Sequence, residues 1–190
     1  TPDLALLRHR QTIFARLRDG HWLQLKFDEE QTVQHTACIE REFVLTEDGI
    51  LPQEAQALFH QLLPTWQATP TWEEAKARNG LIELARIEKK RSVYTDGSLI
   101  MSIDMVKDLG NFVEIEMNLQ EGEDSTTARR RVRAFADELG GHRIKAGYFE
   151  MWLYRYHQSA YQHVPARFRV QAGELFFPPV EDASDPYRTY

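Results

Sequence analysis

The sequence predicts an α+β fold in which about six antiparallel strands close into a β-barrel and helices pack outside it. Two Asp-Gly pairs lie between segments of strand-like composition, which is typical of β-hairpins. Several of the strand-like segments carry charged side chains at alternate positions, so one face of these strands is charged. Segments with apolar residues at helical spacing follow each group of strands.

The expected elements are placed by their periodicity and by the residues that end them. Pro52 stands before the first helical segment, and Gly140 stands where a later helix should stop. No role is predicted for the proline-containing tail from Pro165 onward. In chain order, strands are expected at 12–18, 22–27 and 36–45, a helix at 53–63, strands at 81–94, 98–105 and 112–119, and helices at 125–139 and 148–156.

The loop of the first hairpin is predicted from the charges beside it. A two-residue turn would place Arg16 opposite apolar Leu23, whereas a three-residue loop places Arg16 opposite Gln24. We therefore expect the three-residue loop. With this loop, Arg16, Arg18 and Lys26 share one face of the hairpin.

The second hairpin is expected to combine basic and acidic groups. If its Asp-Gly pair forms a two-residue turn, Arg91 lies opposite Ser102 and Lys89 lies opposite Asp104. Basic and acidic side chains then face the same space.

Carboxylates also occur in same-face pairs. Glu114 and Glu116 alternate with apolar residues in the last strand, and the same parity places Glu40 and Glu42 together on the third. Each pair alone is explained by a solvated face of an antiparallel sheet. However, adjacent like charges on strand after strand repel by several tenths of a kcal/mol per pair, unless opposite charge lies between them. A metal-bound polyanion in a polar barrel lumen would supply both signs.

Composition excludes several classes of function. The 190-residue chain has a formal net charge of −6, which argues against nucleic acid as the main partner. No apolar run approaches the ~20 residues of a membrane-spanning helix, so no membrane partner is expected. Cys38 is the only cysteine, which excludes an intrachain disulfide and fits a cytoplasmic protein. Oxygen ligands favour Mg²⁺ or Mn²⁺, and the scattered histidines argue against zinc.

A series of short motifs runs along the chain. In chain order the motifs are Thr1-Pro-Asp-Leu, Arg16-Leu-Arg18, Trp22–Lys26, Glu40-Arg-Glu42, Ile87–Tyr94, Asp96-Gly97, Ser102–Val106, Leu109–Glu116 and Lys145-Ala-Gly-Tyr148. Together they resemble the CYTH domain family, the triphosphate tunnel metalloenzymes. The similarity covers roughly residues 1–160 and is most specific in the second group of strands.

The resemblance implies a triphosphate tunnel and metal-dependent cleavage of a phosphoanhydride bond, in inorganic triphosphate or thiamine triphosphate, with Mg²⁺ or Mn²⁺. Motif order and spacing are most similar to the thiamine-triphosphatase-like branch. The implied phosphate-binding and catalytic residues are Arg16, Arg18, Lys26, Lys89, Arg91 and Lys145. The implied metal ligands are Asp104, Glu114 and Glu116, with Glu40 and Glu42 as further ligands or as partners that fix the arginines.

The resemblance also leaves alternatives. The family's first strand carries a Glu-x-Glu-x-Lys motif upstream of Thr-Pro-Asp, so we expect residues 1–160 to form a CYTH domain without that strand, in a fragment or processed chain. Residues 161–190 form a C-terminal extension, whose last residues also permit a permuted chain. The alternative functions are a class IV-type adenylate cyclase and an inactive module that binds polyphosphate or phosphorylated ligands. The sequence does not define the oligomeric state.

Overall fold

The computed structural model describes residues 3–8, 13–27, 39–119, 124–144, 146–170 and 173. The described residues form two compact units. The first contains those up to Leu84 together with His163–Pro165, and the second contains those of Ala85–Gln162 and from Ala166 onward. Each unit has its own three-stranded antiparallel sheet.

The first unit consists of a sheet with β2 in the centre and two main helices. In the β1–β2 hairpin Arg18 pairs with Trp22, which confirms the three-residue loop. Asp19 and Gly20 in that loop both have positive φ, a conformation that Gly adopts without strain and Asp tolerates. The elements are α1 Ala5–Arg8, β1 Phe14–Arg18, β2 Trp22–Phe27, β3 Ile39–Val44, α2 Gln53–Leu62 and α3 Trp72–Arg78.

The core of the first unit forms on the apolar side of β2. Leu23 and Leu25 are fully buried there and belong to one cluster with residues of α2 and α3. Within this cluster Phe59 stacks on Trp66 with a centroid distance of 4.1 Å, and Trp72 lies 6.0 Å from Phe59. The opposite side of β2 is therefore left for polar residues.

The second unit repeats the pattern of a sheet followed by helices. Its central strand is β5, and helix α5 packs its Met151 into a cluster with Val106 and Leu109. The elements are β4 Lys89–Thr95, β5 Ile100–Val106, β6 Gly110–Glu116, α4 Ser125–Glu138, α5 Tyr148–Tyr156, α6 Gln158–Tyr161 and a 3₁₀ helix at Ala166–Phe168.

The register predicted for the second hairpin is wrong. Thr95 pairs with Ile100, so the loop has four residues instead of two. As a result Arg91 lies opposite Asp104, and Lys89 lies opposite Val106.

The longer loop has a local cause in the Asp96 side chain. Its carboxylate accepts hydrogen bonds from the backbone N–H of Ser98 at 2.9 Å and of Leu99 at 2.7 Å. These bonds lower the pKa of Asp96, and the bond from the Leu99 N–H has the largest effect. An Asx-type loop of this kind competes with the two-residue hairpin turn that Asp-Gly otherwise favours.

The predicted element types are otherwise confirmed, with shifted boundaries. The strand expected at 81–94 begins only at Lys89, and the strand expected at 112–119 ends at Glu116. Helix α3 was not predicted. Parts of the expected strands at 12–18 and 36–45 lie outside the described residues. The mixed α+β class is confirmed, while the closed barrel stays a prediction.

No helix in the part of the chain that the structure describes is long and apolar enough to cross a bilayer.

Candidate functional site

In the first unit, one face of the sheet collects the predicted site residues of all three strands. The register places Arg16 opposite Gln24, Gln24 opposite Glu42, and Lys26 opposite Glu40. Since side chains two positions apart share a face, these rows lie side by side. The charged residues of this face are Arg16, Arg18, Lys26, Glu40 and Glu42.

A buried amide connects the first row. Gln24 is only 1% exposed, and its Oε1 accepts a hydrogen bond of 2.7 Å from Nε of Arg16. Its Nε2 donates to the Glu42 carboxylate. Gln24 was not predicted as a site residue, although it stands opposite Arg16 and interrupts the apolar residues of the central strand.

The remaining charges of this face form partly solvated pairs. Lys26 forms an ion pair with Glu40, and Arg18 lies 3.8 Å from Glu42 and over the ring of Trp22. Pairs at this level of exposure stabilise a fold by at most ~1 kcal/mol. They can therefore be exchanged for contacts with a charged ligand at little cost.

In the second unit, a single buried carboxylate organises the basic residues. Asp104 has a completely buried side chain in the central strand β5. It accepts hydrogen bonds from Nζ of Lys89 at 2.9 Å, and from Nε and Nη2 of Arg91 at 2.7 and 2.6 Å. The hydroxyl of Tyr148, at the start of α5, donates to it at 2.8 Å.

The electrostatics of this cluster follow from burial and hydrogen bonding. Burial by itself raises the pKa of Asp104, but the hydrogen bonds from Arg91, Lys89 and Tyr148 outweigh it and hold the pKa well below its usual value. Burial lowers the pKa of Lys89 against the opposing effect of its bond to Asp104. The pKa of Tyr148 is raised, first by burial and then by the same carboxylate. Near neutral pH Asp104 is thus charged and the Tyr148 hydroxyl is protonated.

The other carboxylates of the second unit are more accessible. Glu114 shares the face of Asp104, is 43% exposed and accepts a hydrogen bond from Arg91. Glu116 lies on the same face, two positions further along β6, and is also exposed. The hydrogen bond to Asp104 and the nearby Glu114 raise the pKa of Arg91, which stays charged.

The structure thus brings the predicted residues together on one sheet face in each unit. Lys145 lies outside the described residues. Tyr148 was not predicted as a site residue, although it ends the Lys-x-x-Tyr motif.

The carboxylates differ in how well they fit a divalent ion. In the described ranges, no group of three or more His, Cys, Asp or Glu side chains is arranged to hold a metal. Mg²⁺ is commonly bound by only one or two carboxylates together with substrate phosphates, so a full protein cage is not required. Glu114 and Glu116 fit this mode, because they are oxygen donors on one face, the first partly exposed and the second exposed. Asp104 does not fit it, because its oxygens already accept four hydrogen bonds.

The comparison with protein families shows which family the chain belongs to. The model of the CYTH domain matches residues 1–146. The chain belongs to the CYTH domain family. That family covers triphosphatases and adenylate cyclases and typically consists of enzymes that use divalent metals on triphosphate ligands.

Solved structures of archaeal proteins are similar to this CYTH chain. The PH1819 protein of Pyrococcus horikoshii OT3 is 21% identical over 69% of this chain and 64% of that protein, with a TM-score of 0.46. This chain therefore spans less than two thirds of the length of PH1819. A conserved hypothetical protein of Pyrococcus furiosus is 18% identical over 68% of this chain and 72% of that protein, with a TM-score of 0.42. Among curated proteins no match was found.

Proposed function

We propose that this CYTH protein is a divalent-metal-dependent triphosphatase that cleaves a phosphoanhydride bond of inorganic triphosphate or thiamine triphosphate. The observation that carries the proposal is that each sheet presents basic side chains beside carboxylates on a single face. The closed antiparallel barrel expected from the sequence is part of the same proposal, as is the phosphate-binding role of Lys145.

In this proposal the basic residues hold the phosphate oxygens. Arg16, Arg18, Lys26, Lys89 and Arg91 are the described candidates. Guanidinium groups bind phosphate in bidentate geometry, and fixed positive charge stabilises the charge that develops as the anhydride bond breaks. Phosphoryl transfer depends mainly on such positioning and electrostatics, so the protein needs no covalent nucleophile.

The ion pairs of each unit prepare it for two ligands of opposite charge. Arg91 is bonded to Glu114 in the second unit, and Lys26 is paired with Glu40 in the first. In either unit, phosphate oxygens that take over the contact of the basic side chain leave its carboxylate available to a cation. We therefore expect triphosphate and metal to bind with positive cooperativity.

Glu114 and Glu116, with Glu40 and Glu42, are the carboxylates proposed to hold Mg²⁺ or Mn²⁺. When bound, such an ion neutralises phosphate charge and activates or orients water. The chain's own contribution is to place exposed carboxylates beside the cations that hold the substrate.

The proposal is tested by turnover. The purified chain is incubated with inorganic triphosphate, thiamine triphosphate or ATP, each with Mg²⁺, Mn²⁺ or EDTA, while phosphate, pyrophosphate and cyclic AMP are measured. We expect phosphate release that EDTA abolishes. Arg91→Gln and Glu114→Gln should each lower the rate at least about tenfold. Arg143→Gln, which removes an exposed ion pair with Asp137, is the matched control and should leave the rate unchanged.

Three outcomes contradict the proposal. Cyclic AMP with pyrophosphate as products indicates an adenylate cyclase. A triphosphate that raises the melting temperature without turnover indicates a binding module. Full activity in both Arg91→Gln and Glu114→Gln shows that the chemistry occurs elsewhere.

A further inference from the structure

We infer that Asp104 is a positioning residue that holds Lys89 and Arg91 in place, with the Tyr148 hydroxyl fixing its carboxylate, and that it does not ligate the metal. The inference rests on the proposed function and departs from the role that the family resemblance implies for Asp104. Asp104 is then an internal anchor, a buried carboxylate that fixes the basic side chains, whereas the more accessible Glu114 and Glu116 are the metal ligands.

Most of the hydrogen-bonding capacity of Asp104 is already used. A carboxylate offers about four lone-pair positions, two on each oxygen. Oδ1 of Asp104 accepts one bond from Arg91, and Oδ2 accepts one each from Arg91, Lys89 and Tyr148. A metal ion at Oδ2 would have to displace bonds from two cations, and at Oδ1 it would lie beside the guanidinium of Arg91. In either position its positive charge would be close to those of Lys89 and Arg91, with one carboxylate charge among the three.

Burial supports the same conclusion. The Asp104 side chain is completely buried, and it stands opposite Phe112, which packs against the ring of Tyr148 with a centroid distance of 5.2 Å. Both rings border the apolar cluster of Val106 and Met151. A charge in such surroundings persists only when it is paired and hydrogen-bonded. Lys89 and Arg91 therefore stabilise the buried charge of Asp104, and Asp104 in turn fixes the positions of their side chains.

Tyr148 is bonded to the anchor and contacts one of its cations. Its hydroxyl donates to Asp104, while its ring lies 5.0 Å from Nζ of Lys89 in a cation–π contact. Because these contacts use different parts of the side chain, Tyr148→Phe removes the first and keeps the second. This variant weakens the anchor without removing its charge or the packing of the ring.

Glu114 provides the contrast within the same face. It is 43% exposed, and its one described hydrogen-bond partner is Arg91. Glu114 can exchange that bond for a metal while Arg91 remains held by Asp104. The two carboxylates that contact Arg91 are thus unequal, and a metal should select the exposed one.

The first experiment measures metal binding apart from turnover. Mn²⁺ affinity is determined by electron paramagnetic resonance for the wild type, Asp104→Asn, Tyr148→Phe and Glu114→Gln. We expect Glu114→Gln to weaken Mn²⁺ binding at least about tenfold, and Asp104→Asn and Tyr148→Phe to weaken it clearly less, because neither removes an oxygen ligand. A loss in Asp104→Asn as large as that in Glu114→Gln overturns the inference.

The second experiment observes the anchor directly. The Nε–H resonance of Arg91, assigned by its loss in Arg91→Lys, reports the bond to Asp104 in ¹⁵N NMR spectra. We expect it to move only slightly when Mg²⁺ is added, because Arg91 loses its bond to Glu114 but keeps those to Asp104. It should shift in Tyr148→Phe, and it should move much further or broaden beyond detection in Asp104→Asn. Movement of the wild-type resonance with Mg²⁺ to the position seen in Asp104→Asn means that the metal has taken the carboxylate, and it overturns the inference.

Measurements of triphosphate turnover distinguish a failure of this inference from a failure of the proposed function. In Asp104→Asn we expect kcat for triphosphate to fall about 10- to 100-fold with KM changed less than threefold, because the cations remain but lose their fixed orientation. Tyr148→Phe should lower kcat about 3- to 10-fold, which corresponds to one lost hydrogen bond. If the wild type hydrolyses no triphosphate, the proposed function fails, while the Mn²⁺ and NMR measurements still decide the role of Asp104.

Discussion

Gln24 offers the sharpest test of how the first unit holds its charges. The side chain is almost completely buried in β2, where it accepts from Arg16 and donates to Glu42. Gln24→Leu keeps a similar volume and removes the contacts with both partners, the forked one from Nε and Nη2 of Arg16 and the one to Glu42, each worth about 1 kcal/mol net. Because Arg16 and Glu42 are exposed enough to regain water, we expect a loss of about 1–2 kcal/mol in the free energy of unfolding.

Exchanging the amide and the carboxylate between Gln24 and Glu42 tests whether the hydrogen bond between them accounts for the effect. Gln24→Glu keeps the acceptor for Arg16 but loses the donor, and it places a second carboxylate beside Glu42. We expect this variant to be less stable than Gln24→Leu at neutral pH. Adding Glu42→Gln to Gln24→Glu places the carboxylate at position 24 and the amide at position 42, so that a donor again faces an acceptor. The double variant should recover at least half of the loss.

Urea denaturation measures these differences through the transition midpoint, provided that the m-value is unchanged. Gln61→Leu, which changes an exposed glutamine of α2, is the matched control and should alter stability by no more than about 0.5 kcal/mol. The reasoning is refuted if Gln24→Leu behaves like the control, or if the swapped pair is no more stable than Gln24→Glu alone.

Three further predictions concern stability. Phe59→Ala removes the ring stacked on Trp66 and should cost about 3–5 kcal/mol in urea denaturation, whereas Val44→Ala, at a side chain 53% exposed, should cost no more than about 0.5 kcal/mol. Equal effects would show that Phe59 is not a core residue. Thr71→Ala removes the side chain that caps α3 by accepting from the Glu74 N–H, and it should lower stability by about 1 kcal/mol, while Thr71→Ser retains the cap. A pH series tests Asp124, whose pKa is lowered from 3.8 first by the hydrogen bond from the Thr127 hydroxyl. Its stabilisation is present above its unfolded pKa and lost as pH falls through the folded pKa, so the melting-temperature difference between wild type and Asp124→Ala should shrink below about pH 3.8. A difference that does not depend on pH would contradict this assignment.

The charged faces could be predicted because strand alternation is a local property. The hairpin of β1 and β2 has the predicted register because only a three-residue loop puts Arg16 beside polar Gln24. The register of β4 and β5 could not be predicted, because it depends on whether Asp96 bonds the backbone N–H groups of its own loop. An Asp-Gly pair is compatible with both outcomes. Helix α3 has only seven residues, which is too short for its periodicity to be recognised.

The internal anchors were missed for a different reason. Gln24 and Asp104 take their roles from burial and from neighbours on other strands, neither of which a single segment reveals. Asp104 was identified as charged and inward-facing, but its partner Tyr148 is 44 residues away along the chain. Sequence patterns can place a carboxylate on a face without showing whether its oxygens are already occupied.

In each unit a buried polar side chain, here called the anchor, holds the charged residues of the sheet face. The anchor differs between the two units, and this difference affects which ligand each unit attracts. Each sheet has an arginine on its first strand, a buried polar side chain on its central strand and a glutamate on its third. The anchor is neutral Gln24 in the first unit and charged Asp104 in the second. Among the described residues, the first charged face has three cations against two carboxylates, whereas the second has two cations against three carboxylates. Positive charge is thus in excess in the first unit, where the buried side chain is neutral, and negative charge is in excess in the second, where Asp104 adds a charge to those of Glu114 and Glu116. On this basis we expect the first unit to contribute more to triphosphate affinity, and Glu114 and Glu116 of the second to contribute more to metal affinity.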